Sequence, residues 1–320
     1  MHVFGRPVSA RMAPIIIIGM SLFAGSVQAR ATTAQDDGGF VQTCTLPSGW
    51  EDVTERHPGA VIFGASEGLV EPVRFVGSIA CALAKSGKHV LVGLDLSSTS
   101  EESLQKAWAK PQAQFPAALA FGAFDGNRDG SATQALFDMI VALHAFKDAG
   151  LRISITATGA GGDDFARFQE SGLKGSNWIE AAQAEHIEKA VTATKPDIAL
   201  ILTQTFHAAR KPVLSWGLQI EPMALRLSTK LAVVSLKLAH LGGTAWDCRP
   251  KPGLSPGKDG SIAHESVECS AHDLVANSAP EAARNAPYIA MSTEGGLDRT
   301  GEDGVFQLSR VTASRPADSL

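Results

Sequence analysis

A chain of 320 residues with 44% hydrophobic and 19% charged residues has enough apolar side chain for a full core, which excludes a mainly disordered, collagen-like or coiled-coil protein. It allows one large α/β domain or two smaller ones. Lys and Arg total 28 against 33 Asp and Glu, and the formal charge of -5 withholds the basic surface that nucleic-acid binding requires.

Residues 1–29 read as a secretory signal. Arg6 and Arg11 precede an apolar core through Ile15, Ile16, Ile17, Ile18, Leu22 and Phe23, and Val27-Gln28-Ala29 places small residues where signal peptidase cuts. The apolar run is short for a membrane span, so no integral span is expected after cleavage and the protein is expected in the periplasm or outside the cell. Residues 30–56 form an N-terminal extension, 57–241 the core domain, and 242–320 a C-terminal tail that completes it.

Within the core, apolar runs and amphipathic stretches alternate. Ala60 to Phe63 is a short apolar strand, and Pro72 to Ser86 a helix on Phe75, Ile79 and Leu83. His89 to Leu96 is a strand of the kind buried on both faces. Ser100 to Ala109 is a short helix. Ser131 is expected to cap a helix carrying Leu136, Met139, Ile140, Leu143 and Phe146, which Gly150 ends. Arg152 to Thr158 is a strand, Ser176 to Thr194 a helix, and Ile198 to Thr203 and Leu231 to Ala239 are further strands. Pro287 to Met291 and Gly304 to Leu308 supply two short terminal strands. This alternation predicts an α/β fold: one domain with a largely parallel sheet, helices on both faces, and a disulfide-containing tail.

Export gives the four cysteines a meaning, because an oxidising compartment favours disulfides over thiolate chemistry. Four cysteines allow three pairings. Cys248 with Cys269 would close a Pro/Gly-rich loop, and Cys44 with Cys81 would staple the extension to the first long helix. A buried thiol is the alternative for Cys81, which lies within the apolar Ile79 to Leu83. Neither a CxxC pair nor a compact His set predicts zinc. His186 falls on an apolar helical stripe and is expected to be partly buried. His144 has no partner that the sequence identifies.

In a parallel sheet, ligands bind beyond the carboxyl ends of the strands. That rule selects Gly64 to Glu71, Asp95 to Thr99, Gly159 to Asp164, and Gln204 to His207. The turn Gly64-Ala65-Ser66-Glu67-Gly68 resembles the cofactor turn of short-chain dehydrogenases, but Val70 stands at the third glycine. The Tyr-x-x-x-Lys of that family is also impossible, since the only tyrosine, Tyr288, is followed four residues later by Ser292.

A second resemblance runs from about Val61 to Cys248. Gly64-Ala65-Ser66-Glu67-Gly68-Leu69-Val70-Glu71, then a helix, then a strand ending in Asp95, resembles the Gly-Glu-x-His-Gly-Thr-x-Glu pattern of the erythromycin-esterase and ChaN-like superfamily. The Glu180 to Ile187 helix, the strand leading to His207, and Gly242-Gly243-Thr244-Ala245-Trp246-Asp247-Cys248 are similar to its later segments. The resemblance implies a crevice with Gly64, Ser66, Asp95, Glu180 and Gln204 as ligand-binding residues and Glu67, Glu71 and His207 as catalytic candidates. Ala65 and Glu67 replace the family's glutamate and histidine, the pair expected to activate water. The expectation is therefore an exported protein that binds a small molecule with little hydrolysis, the alternative being an active ester or amide hydrolase. The ChaN resemblance also suggests haem, which the lone Tyr288 in the tail does not support, and no cofactor is expected. Asp125-x-Asn127-x-Asp129-Gly130 matches half of a calcium loop, with Leu136 at the position of the closing acid, and makes calcium binding a further alternative.

Overall fold

The computed structural model describes residues 44–124, 130–215, 217–251, 267–292 and 300–317. The expected signal and the Asp125, Asn127 and Asp129 loop lie outside the described residues.

In chain order the elements are α1 (Trp50–Thr54), β1 (Ala60–Ala65), α2 (Glu71–Lys85), β2 (Val90–Ser97), α3 (Glu101–Trp108), α4 (Phe115–Ala123), α5 (Gln134–Asp148) and β3 (Ile153–Gly159). Then come α6 (Gly162–Gln169), α7 (Asn177–Thr194), β4 (Ile198–Gln204), the hairpin β5 (Val213–Ser215) and β6 (Leu218–Ile220), α8 (Met223–Leu227) and β7 (Val233–Ala239). The tail contributes the ribbon β8 (Gly243–Pro250) and β9 (Val267–Leu274), followed by β10 (Tyr288–Met291) and β11 (Gly304–Gln307).

Seven strands form one sheet in the order β10-β11-β7-β1-β4-β2-β3, parallel except for the edge strand β10. The alternation of side chains along β1 shows why both faces need covering. Val61 and Phe63 enter one apolar cluster with α2 and α5, while Ala60 and Ile62 enter a second with α7 and α8. The predicted stripes Phe75, Ile79, Leu83 and Leu136, Met139, Ile140, Leu143 are buried in the first cluster.

The tail belongs to the same core. β11 pairs in parallel with β7, and its Phe306 ring lies 5.5 Å from Phe63, edge-on at 83°, and 5.4 Å from Phe75, stacked at 21°. Fully burying such a side chain contributes about 1.5–3 kcal/mol, enough to hold a short terminal strand in place.

Three details refine the expectations. The cap of α5 is Thr133, whose Oγ1 accepts from the Leu136 amide at 3.2 Å, because Thr133 rather than Ser131 adjoins the first helical residue. His144 does have partners: it is fully buried, stacks on Phe115 at 3.8 Å, and places Nδ1 2.6 Å from Gln112 Oε1. Burial, reinforced by the nearby Lys147 charge, lowers its pKa. Both favoured disulfides, Cys44–Cys81 and Cys248–Cys269, are formed. Among the described residues no helix is long and apolar enough to cross a membrane.

Candidate functional site

The sheet order places the carboxyl ends of β1, β4 and β2 side by side, with Ala65 opposite Gln204 and Leu94 opposite Leu202. Residues just beyond those ends therefore meet. Gln204 Nε2 donates to Glu67 Oε1 at 2.8 Å, and Thr203 Oγ1 donates to Asp95 Oδ2 at 2.8 Å. The register of β2 against β3 slips between Leu94 and Ser97, so two residues of β2 sit where β3 has one. Such an irregularity re-aims a side chain, and here Asp95 falls within it.

Two glycines allow the close approach. A Cβ on Gly64 would lie 2.5 Å from the Ala208 Cβ, so the glycine lets the end of β1 pack against the turn that carries His207. Gly68 has φ +69°, and a Cβ there would sit 2.0 Å from the Trp246 carbonyl oxygen. Its backbone also binds Gly130, Trp246 and Ser314, which ties the crevice loop to the tail.

The second wall comes from α7. Glu180 and Gln183 lie three residues apart and so share a face. Glu180, fully buried, accepts from His207 Nδ1 at 2.8 and 2.9 Å and from the Met223 amide at 2.8 Å. Gln183 donates to Asp95 Oδ1 at 3.1 Å, while its own buried Oε1 has no hydrogen-bond partner among the described residues. Burial works against a charged His207, but the hydrogen bond and charge of Glu180, together with the charges of Asp95 and Glu67, outweigh it and raise the imidazole pKa above its ordinary value.

Between Glu67, Asp95, Thr203 and Gln204 lies a cleft of about 50 Å³. Pockets for drug-sized ligands run to about 300–1,000 Å³, so the cleft as the described residues bound it suits a few waters or one small polar group.

Of the sequence-selected residues, Glu67, Asp95 and Gln204 line this cleft, and Glu180 and His207 adjoin it through Gln183 and the shared charges. Ser66 is exposed on the same loop. Glu71 is set apart: its Oε2 accepts from the Thr312 amide at 2.7 Å, and it lines a different cavity. Gln183 and Thr203 were not singled out by the sequence, because an uncharged side chain at a strand end or on a helix carries no chemical signature there. Among the described residues no cluster of three or more His, Cys, Asp or Glu is placed to hold a metal ion.

A neighbouring set stiffens the wall. Asp164 accepts from Ser98 Oγ at 2.8 Å, the Gly161 amide at 2.9 Å and Arg167 Nη2 at 2.8 Å, with His186 Nε2 at 3.2 Å. Burial opposes its ionisation, yet these donors lower its pKa to about 2. A depressed carboxylate pKa contributes stability above the unfolded value of 3.8 and loses it as pH falls through about 2. Asp164→Asn is therefore expected to cost about 2 kcal/mol near neutral pH and little near pH 2, measured by urea unfolding at both; equal costs would contradict the assignment.

No protein-family model matches this sequence, and no curated protein does. Three solved structures are similar in fold. A Bacillus cereus protein has a TM-score of 0.53 at 9% identity, covering 87% of this chain and 96% of its own. A variant of erythromycin esterase EreC in its open conformation has a TM-score of 0.52 at 11% identity, with 85% and 95% covered. A succinoglycan biosynthesis protein has a TM-score of 0.53 at 8% identity, with 86% and 94% covered. Identities this low convey architecture alone, and this chain shares its architecture with these three structures.

Proposed function

We propose that this protein is an exported binder of a small, hydrogen-bond-donating ligand, held in the crevice of Glu67, Asp95 and Gln204, with little hydrolytic activity. The observation that carries the reading is the state of His207. Its Nδ1 is committed to the buried Glu180 carboxylate and its pKa is raised, so at a given pH a smaller fraction of the imidazole is unprotonated than in a free histidine. Water activation needs an unprotonated base within hydrogen-bond reach of that water. Ala65 supplies no acceptor, and Glu67 already receives the Gln204 amide.

What the crevice offers instead is acceptors: Glu67, Asp95, and the unpartnered Oε1 of Gln183. Three carboxyl groups, Glu67, Asp95 and Glu180, face one imidazole, so an ammonium or a cluster of hydroxyls is favoured over an anion. The two disulfides suit an oxidising compartment. A hydrolase would have to run on Glu67 and His207 without Glu71, which faces a separate cavity.

Two assays on the purified protein test this. Hydrolysis of p-nitrophenyl acetate and of a macrolide lactone is expected to be no faster than with His207→Ala; fast turnover lost in His207→Ala overturns the reading. Calorimetric titration with methylammonium, small enough for a cleft of about 50 Å³, is expected to show binding that weakens at least about tenfold in Glu67→Gln, the range for removing a charged hydrogen bond. Absence of heat overturns the ligand class.

A further inference from the structure

A second cavity, of about 280 Å³, lies away from the crevice along one face of α2. Glu71, Arg74, Phe75 and Ser78 follow the i, i+3, i+4, i+7 spacing that places side chains on one helical face, and all four line it. The other walls come from distant parts of the chain, and each is tied down. Thr45 is held to α2 by the adjacent Cys44–Cys81 disulfide and by backbone bonds with the Ser78 hydroxyl at 2.9 and 3.1 Å. The Ile289 amide donates to the Ser48 carbonyl at 2.8 Å, which holds the Pro47 wall beside Pro287. The Leu241 amide donates to the Ser309 carbonyl at 2.8 Å and fixes the segment after β11. Walls tied in this way hold the space between them open.

The floor is apolar, and the polar groups around it are engaged or balanced. Phe75 and Leu308 are buried, and the Phe75 ring stacks on Phe306. Pro47 and Pro287 add rings and bring no backbone N–H. Ser78 is both donor and acceptor to Thr45, and Glu71 Oε2 accepts from the Thr312 amide. Arg74 has a partner of its own, and its charge also acts on the Asp138 carboxylate. Glu71 and Arg310 remain at the rim, one negative and one positive, so no net charge recruits an ion. A pinned apolar cavity forfeits dispersion contacts, and a guest of matching size restores them. A cavity of roughly 150 Å³ takes benzene, so one of about 280 Å³ suits two fused rings.

We propose that this cavity is a binding site for an uncharged, largely apolar molecule the size of a bicyclic aromatic, seated on Phe75 and Leu308 between Pro47 and Pro287. The site is independent of the crevice and of what the crevice does.

Calorimetric titration of the disulfide-intact protein with indole tests it, and saturable one-to-one binding is expected. Pyrrole, which covers less of the floor, is expected to bind at least about tenfold more weakly. Indole-3-acetate and tryptamine are expected to bind no more tightly than indole, because no unbalanced charge at the rim rewards either ion. Ser309→Trp, at an exposed rim position, places a bulky ring at the cavity mouth and is expected to weaken indole at least about tenfold. Lys189→Trp, on exposed α7 surface, and Arg310→Gln, which removes only a rim charge, are expected to leave it within about twofold. The proposal is overturned by an absence of saturable indole binding, by either ion binding more tightly than indole, or by Ser309→Trp matching Lys189→Trp.

Discussion

Replacing His207 with alanine is expected to destabilise the protein by about 3–5 kcal/mol, the range for removing one partner of a buried ion pair. Glu180 has no exposed surface, and without the imidazole its carboxylate would retain only the Met223 amide among the bonds described here. The effect carries a pH signature. His207 has a folded-state pKa raised above 6.5, so its contribution is fully present below that unfolded value and is lost as pH rises through the folded one. The stability gap between wild type and His207→Ala should thus be full below pH 6.5 and narrow as pH rises above it in urea unfolding. Glu180→Gln should flatten or reverse the slope, because it removes the strongest influence favouring the cation and leaves burial opposed only by Asp95 and Glu67. A gap that stays constant with pH would show that His207 acts by packing alone. Such a result would also remove the reason for denying it a role as a base.

The second large effect concerns Cys44–Cys81. The bridge spans 37 residues of sequence, and loop-closure entropy in the unfolded chain assigns it about 4 kcal/mol. Cys248–Cys269 spans 21 residues and is assigned about 3 kcal/mol on the same basis. The difference should be larger in practice. Cys248 and Cys269 are directly opposite in the β8–β9 ladder, so backbone pairing already holds them together. On the other side, the segment at Thr45 is anchored to α2 through the bridge and the Ser78 hydroxyl. Cys44→Ala with Cys81→Ala should therefore lower the urea midpoint more than Cys248→Ala with Cys269→Ala. The reverse order would place the main constraint in the tail ribbon.

The strands were legible where burial is complete. Every residue of β1 is buried, and continuous apolar runs of that kind have few alternatives in a chain this polar elsewhere. α2, α5 and α7 announced themselves by spacing and by flanking glycine or cap residues. α4 did not, because Phe115 to Ala123 is apolar around most of its circumference and shows no single stripe. The β8–β9 ribbon was missed because neither strand is continuously apolar, with buried, half-exposed and exposed residues interleaved. The three-residue strands β5 and β6 are too short to carry a period at all.

For the site, the sequence by itself determined which residues stand at strand ends: Glu67, Asp95, Gln204 and His207, with Glu180 opening the next helix. Apolar periodicity is local, and so is the position where a strand stops. Which of these residues touch was decided only by the tertiary structure. Placing β4 between β1 and β2 joins Gln204 to Glu67 and Thr203 to Asp95 across more than a hundred residues of chain. The same packing brings α7 to His207 through Glu180 and turns Glu71, four residues from Glu67, toward Thr312 and a different cavity. Strand order follows from how crossovers and faces pack together, a non-local energy that no window of sequence contains.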